Sequence, residues 1–243
     1  MIQVLPVSIC LVLIWAITRK YAPNIYNFLI LKMTSKWYRR VLLDVPENCE
    51  ILDIGIGPGS ALVANRETLL RKNIKVTGVD YDRVYINYAE ELIKRDEELR
   101  GKLDVHCLSI YAENLGNIVL GSDENEGNKK LFDAVYFSGS FSLLPDPMKA
   151  LKIADKLLTA NGVIYITQTY QKRYIFGMRF LKPLLRYLTT IDFGQLVYEH
   201  ELENLLKKSE FRILVNEVMS ESNHWMSADE QWQSARFIKM ARM

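Results

Sequence analysis

Cysteine, net charge and repeats are all scarce in this sequence, and each scarcity closes off a class of function. The three cysteines, Cys10, Cys49 and Cys107, lie far apart and have no metal-ligand spacing. An odd, scattered set argues against a disulfide framework and for a reducing compartment. Thirty-one Lys and Arg against 29 Asp and Glu leave a net charge of only +2, so nothing draws the chain to polyanions in general and electrostatic recognition has to be local. No internal repeat and no cluster of metal ligands is visible. A chain of 243 residues has room for one large α/β domain and an appendage, and not for two full domains. Its 49% hydrophobic and 25% charged residues rule out global disorder.

Acids are missing from two long stretches. No Asp or Glu precedes Asp44, and Val4 to Ile17 is apolar apart from Pro6 and Ser8, with Arg19 and Lys20 directly behind. That run is at the short end of what spans a bilayer, where about 20 residues are usual. A cleaved leader fits poorly, because a basic n-region and a small-residue cleavage pattern are both lacking. Residues 1–20 are therefore expected to be a membrane anchor. The basic residues Arg19, Lys20, Lys32, Lys36, Arg39 and Arg40 place the following domain in the cytosol as a single-pass protein. Pro23-Asn24 is expected to interrupt the chain. A second, amphipathic helix over 21–46, with Tyr26, Leu29, Ile30, Met33, Trp37, Val41 and Leu42 among the basic residues, would contact a membrane surface or cover the sheet.

The second acid-free stretch runs from Thr169 to Ile191. Lys172, Arg173, Arg179, Lys182 and Arg186 alternate with Tyr174, Phe176, Phe180 and Tyr187, a composition suited to the headgroup region of anionic lipid. The basic residues mix with aliphatics more than a phosphate-tracking groove would want, which argues against nucleic acid.

What the sequence does contain is a strand and turn at Glu50 to Ser60, EILDIGIGPGS. Ile51, Leu52, Ile54 and Ile56 surround Asp53, and Gly55, Gly57 and Gly59 follow at alternate positions. A glycine turn between a buried strand and a helix is where a doubly wound sheet binds nucleotide-like ligands. The spacing is G-x-G-x-G, not the G-x-G-x-x-G of dinucleotide sites. Asp53 would repel a pyrophosphate but suits an ammonium group. The next strand, Lys75 to Asp80, ends in an acid able to accept both hydrogen bonds of a ribose diol.

These residues resemble the class I S-adenosylmethionine-dependent methyltransferase family, over roughly Glu47 to Met243. The resemblance implies a Rossmann-like, doubly wound α/β sheet of seven strands, mostly parallel with an antiparallel C-terminal strand, and a substrate lid at about 170–197. It implies S-adenosyl-L-methionine as cofactor, with Asp53 orienting the methionine tail, Gly55 and Gly57 admitting it, Asp80 on the ribose and Tyr81 over the adenine. The third strand, Leu103 to Leu108, lacks the acid that usually binds the adenine amino group. Ser109 or Tyr111, with the backbone at Ile110, stands there instead. Ser138, at the tip of the fourth strand Leu131 to Phe137, faces the methyl group. No catalytic base is evident; Tyr170 and His200 are the candidates, Glu199 and His224 lesser ones, and a thiol or amine acceptor would need none. The expectation is a membrane-associated enzyme acting on a small lipophilic, amphiphilic or lipid acceptor. A tethered protein methyltransferase and a non-catalytic scaffold of the same fold are the alternatives.

Overall fold

The computed structural model describes residues 7–121, 131–172, 198–219 and 233–243. Seven strands form one sheet: β1 (Glu50–Ile54), β2 (Lys75–Asp80), β3 (Leu103–Cys107), β4 (Phe132–Ser138), β5 (Leu158–Gln171), β6 (Phe211–Met219) and β7 (Gln233–Arg242), in the order β3-β2-β1-β4-β5-β7-β6. The pairs among β1 to β5 are parallel, and β7 runs antiparallel to both β5 and β6. Ile51, Leu52 and Ile54 on β1 are buried, as expected of a strand covered on both faces by helices. One face packs on Leu115 and Val119 of α6 (Leu115–Val119), on Ala150, Leu151 and Ala154 of α7 (Pro147–Leu157), and on Leu202 and Leu206 of the helix Glu199–Lys208. The other face packs on α1 (Val7–Asp44), α2 (Ser60–Val63), α3 (Arg66–Arg71), α4 (Arg83–Lys94) and α5 (Glu97–Arg100).

The N-terminal segment departs from expectation. α1 is one helix of 38 residues that continues through Pro23, where a break was expected. Proline removes one backbone donor, but its φ is itself helical, so helix-forming runs on both sides can continue through it. No helix among the described residues is long and apolar enough to cross a membrane. The apolar run that suggested a span ends at Arg19-Lys20, less than half-way along α1.

The C-terminal half of α1 belongs to the core. Trp37, Tyr38, Val41, Leu42 and Val45 are buried. Asn65 donates from Nδ2 to the Ser35 carbonyl at 2.9 Å and to the Ala61 carbonyl at 2.8 Å. Asp44 accepts from Tyr165 Oη at 2.8 Å and Lys239 Nζ at 2.7 Å. Lys72, itself buried, donates to the carbonyls of Leu42 at 2.9 Å, Leu43 at 3.0 Å and Val45. An ammonium on the unpaired carbonyls of a helix C-terminus satisfies both partners and complements the helix dipole. Lys72→Met is therefore expected to lower unfolding stability by about 2–3 kcal/mol, the worth of hydrogen bonds to a charged group. Urea denaturation of the two proteins checks it.

Smaller differences have local causes. The helical segment 60–71 behind the glycine turn is divided into α2 and α3 at Asn65, and the segment 83–100 into α4 and α5 at Asp96, which caps α5 by accepting from the Glu98 N–H at 3.2 Å. β5 starts at Leu158, and an irregular register opposite Phe132 to Ala134 takes in Asn161-Gly162. Residues 122–130, most of the lid expected at 170–197, and His224 lie outside the described residues.

Candidate active site

The sheet order sets β3, β2, β1 and β4 side by side, so their C-terminal ends bring Asp80, the glycine turn and Ser138 to one edge. At the start of the turn, Gly55 has φ +77°, and a Cβ there would lie 2.5 Å from Ser140 Cβ. Ser140 is held in place by donating its hydroxyl to the Ile54 carbonyl. The Gly55 and Ile56 N–H groups both point to the Val79 carbonyl, at 2.7 and 3.2 Å, which fixes the turn against the end of β2. Asp80 completes the frame: Oδ2 accepts from the Gly57 N–H at 3.0 Å and Oδ1 from the Asp82 N–H at 2.8 Å. Each carboxylate oxygen has a second lone pair, so Asp80 can hold the turn and still accept from a ribose hydroxyl.

Above the turn is a small pocket lined by Tyr38, Gly55, Ile56, Pro58, Gly59, Ser60, Ala61 and Ser138. The hydroxyls of Ser60 and Ser138 are buried there without a hydrogen-bond partner. Buried polar atoms are rarely left so, and two at one pocket fit a polar ligand end such as an amino-acid carboxylate. A Cβ at Gly57 would meet nothing within 4 Å, so the turn leaves open space for a ligand. These features fit the amino-acid end of S-adenosylmethionine.

Asp53 is placed differently from the sequence expectation. It is fully buried and does not line the pocket. Tyr38 of α1 stands at the wall instead and donates its phenol to Asp53 Oδ2 at 2.6 Å, while Oδ1 has no partner. Burial pushes the Asp53 carboxyl up to about 7; the Tyr38 hydrogen bond opposes this and the charge of Asp80 adds to it. Tyr38 was missed because nothing in a cationic, apolar stretch before the first strand singles out one phenol. Trp37, one residue earlier, packs on the tip of β4, where a Cβ on Gly139 (φ +69°) would be 3.2 Å from its ring.

A family model described as a methyltransferase domain matches residues 46–233. The chain belongs to the class I S-adenosylmethionine-dependent methyltransferases. No curated protein matches the sequence. Solved structures similar to this methyltransferase include the [4+2]-cyclase SpnF, at 15% identity and TM-score 0.62 over 86% of this chain and 80% of that one. A methyltransferase from Thiobacillus denitrificans in complex with S-adenosyl-L-homocysteine aligns at 11% identity and TM-score 0.57, over 90% and 97% of the two chains. One from Geobacter sulfurreducens, in the same complex, gives 12% and 0.53 over 84% and 88%. At these identities the likeness speaks for the fold alone.

The other residues singled out in the methyltransferase sequence have these places. Tyr81 is exposed, and its carbonyl accepts from Cys107 Sγ at 3.6 Å. Ser109 is exposed and accepts the Tyr111 N–H at 3.2 Å, while Ile110 is buried in the core. The Tyr111 hydroxyl donates to the Asp146 carbonyl at 2.8 Å and accepts the Asp146 N–H at 3.1 Å. That engagement leaves Ser109 at the open edge. Tyr170 is buried, with the Arg236 guanidinium 4.8 Å from its ring centre. His200 is exposed and stacks on Tyr198 at 5.9 Å.

Proposed function

We propose that this methyltransferase acts on a lipophilic or amphiphilic small molecule while held at a membrane surface by the N-terminal half of α1, with its catalytic domain on the cytosolic side. The observation that carries the reading is exposure of large apolar side chains on that helix: Trp15, Ile17 and Tyr21 lie open beside Lys20. Aromatic rings next to a cation suit the interface between headgroups and acyl chains. The acid-free composition of 169–191 supports the same reading, as a second cationic and aromatic segment directly after β5.

S-adenosylmethionine supplies an electrophilic sulfonium methyl group. The protein's part is to bind, orient and keep water out, and positioning alone can provide much of the acceleration. Asp80 and the glycine turn would hold the nucleoside, and Ser60 and Ser138 the amino-acid end. Ser138, Gly139 and Ser140 leave space at the β4 tip where an acceptor would enter, with Trp37 along one side. Thiol and amine acceptors are favoured over alcohols, since neither the buried Tyr170 nor the outward His200 is set up as a base toward that tip.

An acceptor screen with methyl-labelled cofactor tests the proposal. Label is expected in the lipid extract and not in the protein pellet, and the reverse result would favour a tethered protein methyltransferase. Vesicles containing phosphatidylserine are expected to sediment the full chain and to lose it on deletion of residues 1–20; retention by neither form would remove the membrane part.

A further inference from the structure

We propose that Tyr38 is the side chain that touches the ammonium end of the cofactor, and that Asp53 acts through it. The geometry sets three layers in a row: the pocket, the Tyr38 phenol that lines it, and the Asp53 carboxylate sealed behind. A phenol has one hydrogen and two lone pairs. With its hydrogen on Asp53 Oδ2 at 2.6 Å, Tyr38 can offer the pocket only an acceptor. Its match there is an N–H donor, and best a charged one, because the Asp53 carboxylate behind it polarises the phenol oxygen toward negative charge. The buried hydroxyls of Ser60 and Ser138 can donate, so the two ends of a zwitterion are told apart by which wall each one meets.

The phenol is held in position from several sides. Its ring meets Tyr136 edge-on at 5.1 Å, and α1 is pinned on one side by Asn65 at Ser35 and on the other by Lys72 at Leu42, Leu43 and Val45. A side chain fixed this closely can act as a reading element for the ligand, and Asp53 becomes the positioning residue that sets which way its hydrogen points. This inference rests on the cofactor assignment and is independent of the membrane and acceptor reading.

The test is calorimetric, on the full chain, with two probes. S-adenosylhomocysteine carries the amino-acid end; 5′-methylthioadenosine keeps the nucleoside and thioether but lacks that end. Tyr38→Phe is expected to weaken S-adenosylhomocysteine about tenfold or more, the cost of a hydrogen bond to a charged group, and to leave methylthioadenosine within about twofold. Unchanged binding of S-adenosylhomocysteine would mean that Asp53 is reached directly, and equal weakening of both probes would mean that Tyr38 only supports the fold; either overturns the proposal. The double variant Tyr38→Phe with Asp53→Asn leaves no buried carboxylate without its donor, so it covers failure of the single variant to fold. It is expected to bind S-adenosylhomocysteine more weakly than Asp53→Asn alone, with methylthioadenosine spared. Equality of the double and the Asp53 single would sink the idea. A wild-type chain that binds neither probe would instead refute the cofactor assignment beneath it.

Discussion

Asp53→Asn is expected to make the protein more stable at pH 8 than the wild type while weakening S-adenosylhomocysteine, a split that few substitutions at a binding site produce. The sign follows from proton linkage. The folded carboxyl titrates at about 7, against 3.8 as the ordinary value. Between those limits the native state holds a proton that the unfolded chain has released, so the stability present below about pH 4 is lost as pH rises through 7. A displacement of about three units at 1.36 kcal/mol each amounts to on the order of 4 kcal/mol at pH 8. Asn escapes that penalty and keeps the Tyr38 bond through its amide oxygen, but its buried NH₂ lacks a partner, at about 1–3 kcal/mol. The net expectation is a gain of about 1–3 kcal/mol at pH 8, turning into a loss by pH 4. Thermal melts across that range check it. The groups acting on Asp53 are the Tyr38 phenol from α1 and the Asp80 carboxylate from β2. Because its ionised form suits the ligand's ammonium, wild-type affinity for S-adenosylhomocysteine is expected to rise with pH through 7 and that of the variant to stay flat across the same step.

The second large effect is expected at Gly55. An alanine would put its Cβ 2.5 Å from Ser140 Cβ and sit at φ +77°. The backbone conformation alone costs about 1–2 kcal/mol for a residue with a Cβ, and overpacking a fixed neighbour adds typically 1–3. Gly55→Ala should thus lose about 3 kcal/mol in urea denaturation and shift the turn on which Asp80 and the pocket depend, weakening both nucleoside probes together. Ser140→Gly removes the clash together with the hydroxyl's bond to the Ile54 carbonyl, so the fair comparison is within that background, where adding Gly55→Ala should cost roughly half of what it costs in the wild type. If the cost were the same in both backgrounds, the contact with Ser140 would not be what makes this glycine necessary.

Much of the fold could be read from residue patterns because they encode local geometry. The apolar run around Asp53, the three alternating glycines, and Asp80 closing the next strand mark a buried parallel strand and its turn, and the limits of β2 are those expected, Lys75 to Asp80. Features that depend on tertiary contact were not legible. Nothing local distinguishes Tyr38 from Tyr26 or Tyr21, yet only the docking of α1 against β1 and β4 puts its phenol on Asp53. Asn65 divides a helix because its side chain is drawn to Ser35, 30 positions away. Pro23 gave the strongest local signal of a break and was overridden: a proline inside a helix loses one donor and crowds the carbonyl four residues earlier, but its φ is helical and α1 runs on through it.

The unbroken run of α1 has a practical consequence for anyone preparing this enzyme. One rod carries the exposed aromatic residues at Trp15 to Tyr21 and, less than five turns further on, the phenol at the pocket wall. N-terminal trimming to remove the sticky half should stop short of Leu31, which already packs on the core, because the phenol follows about two turns later and a fragment cut that far loses the wall that reads the cofactor.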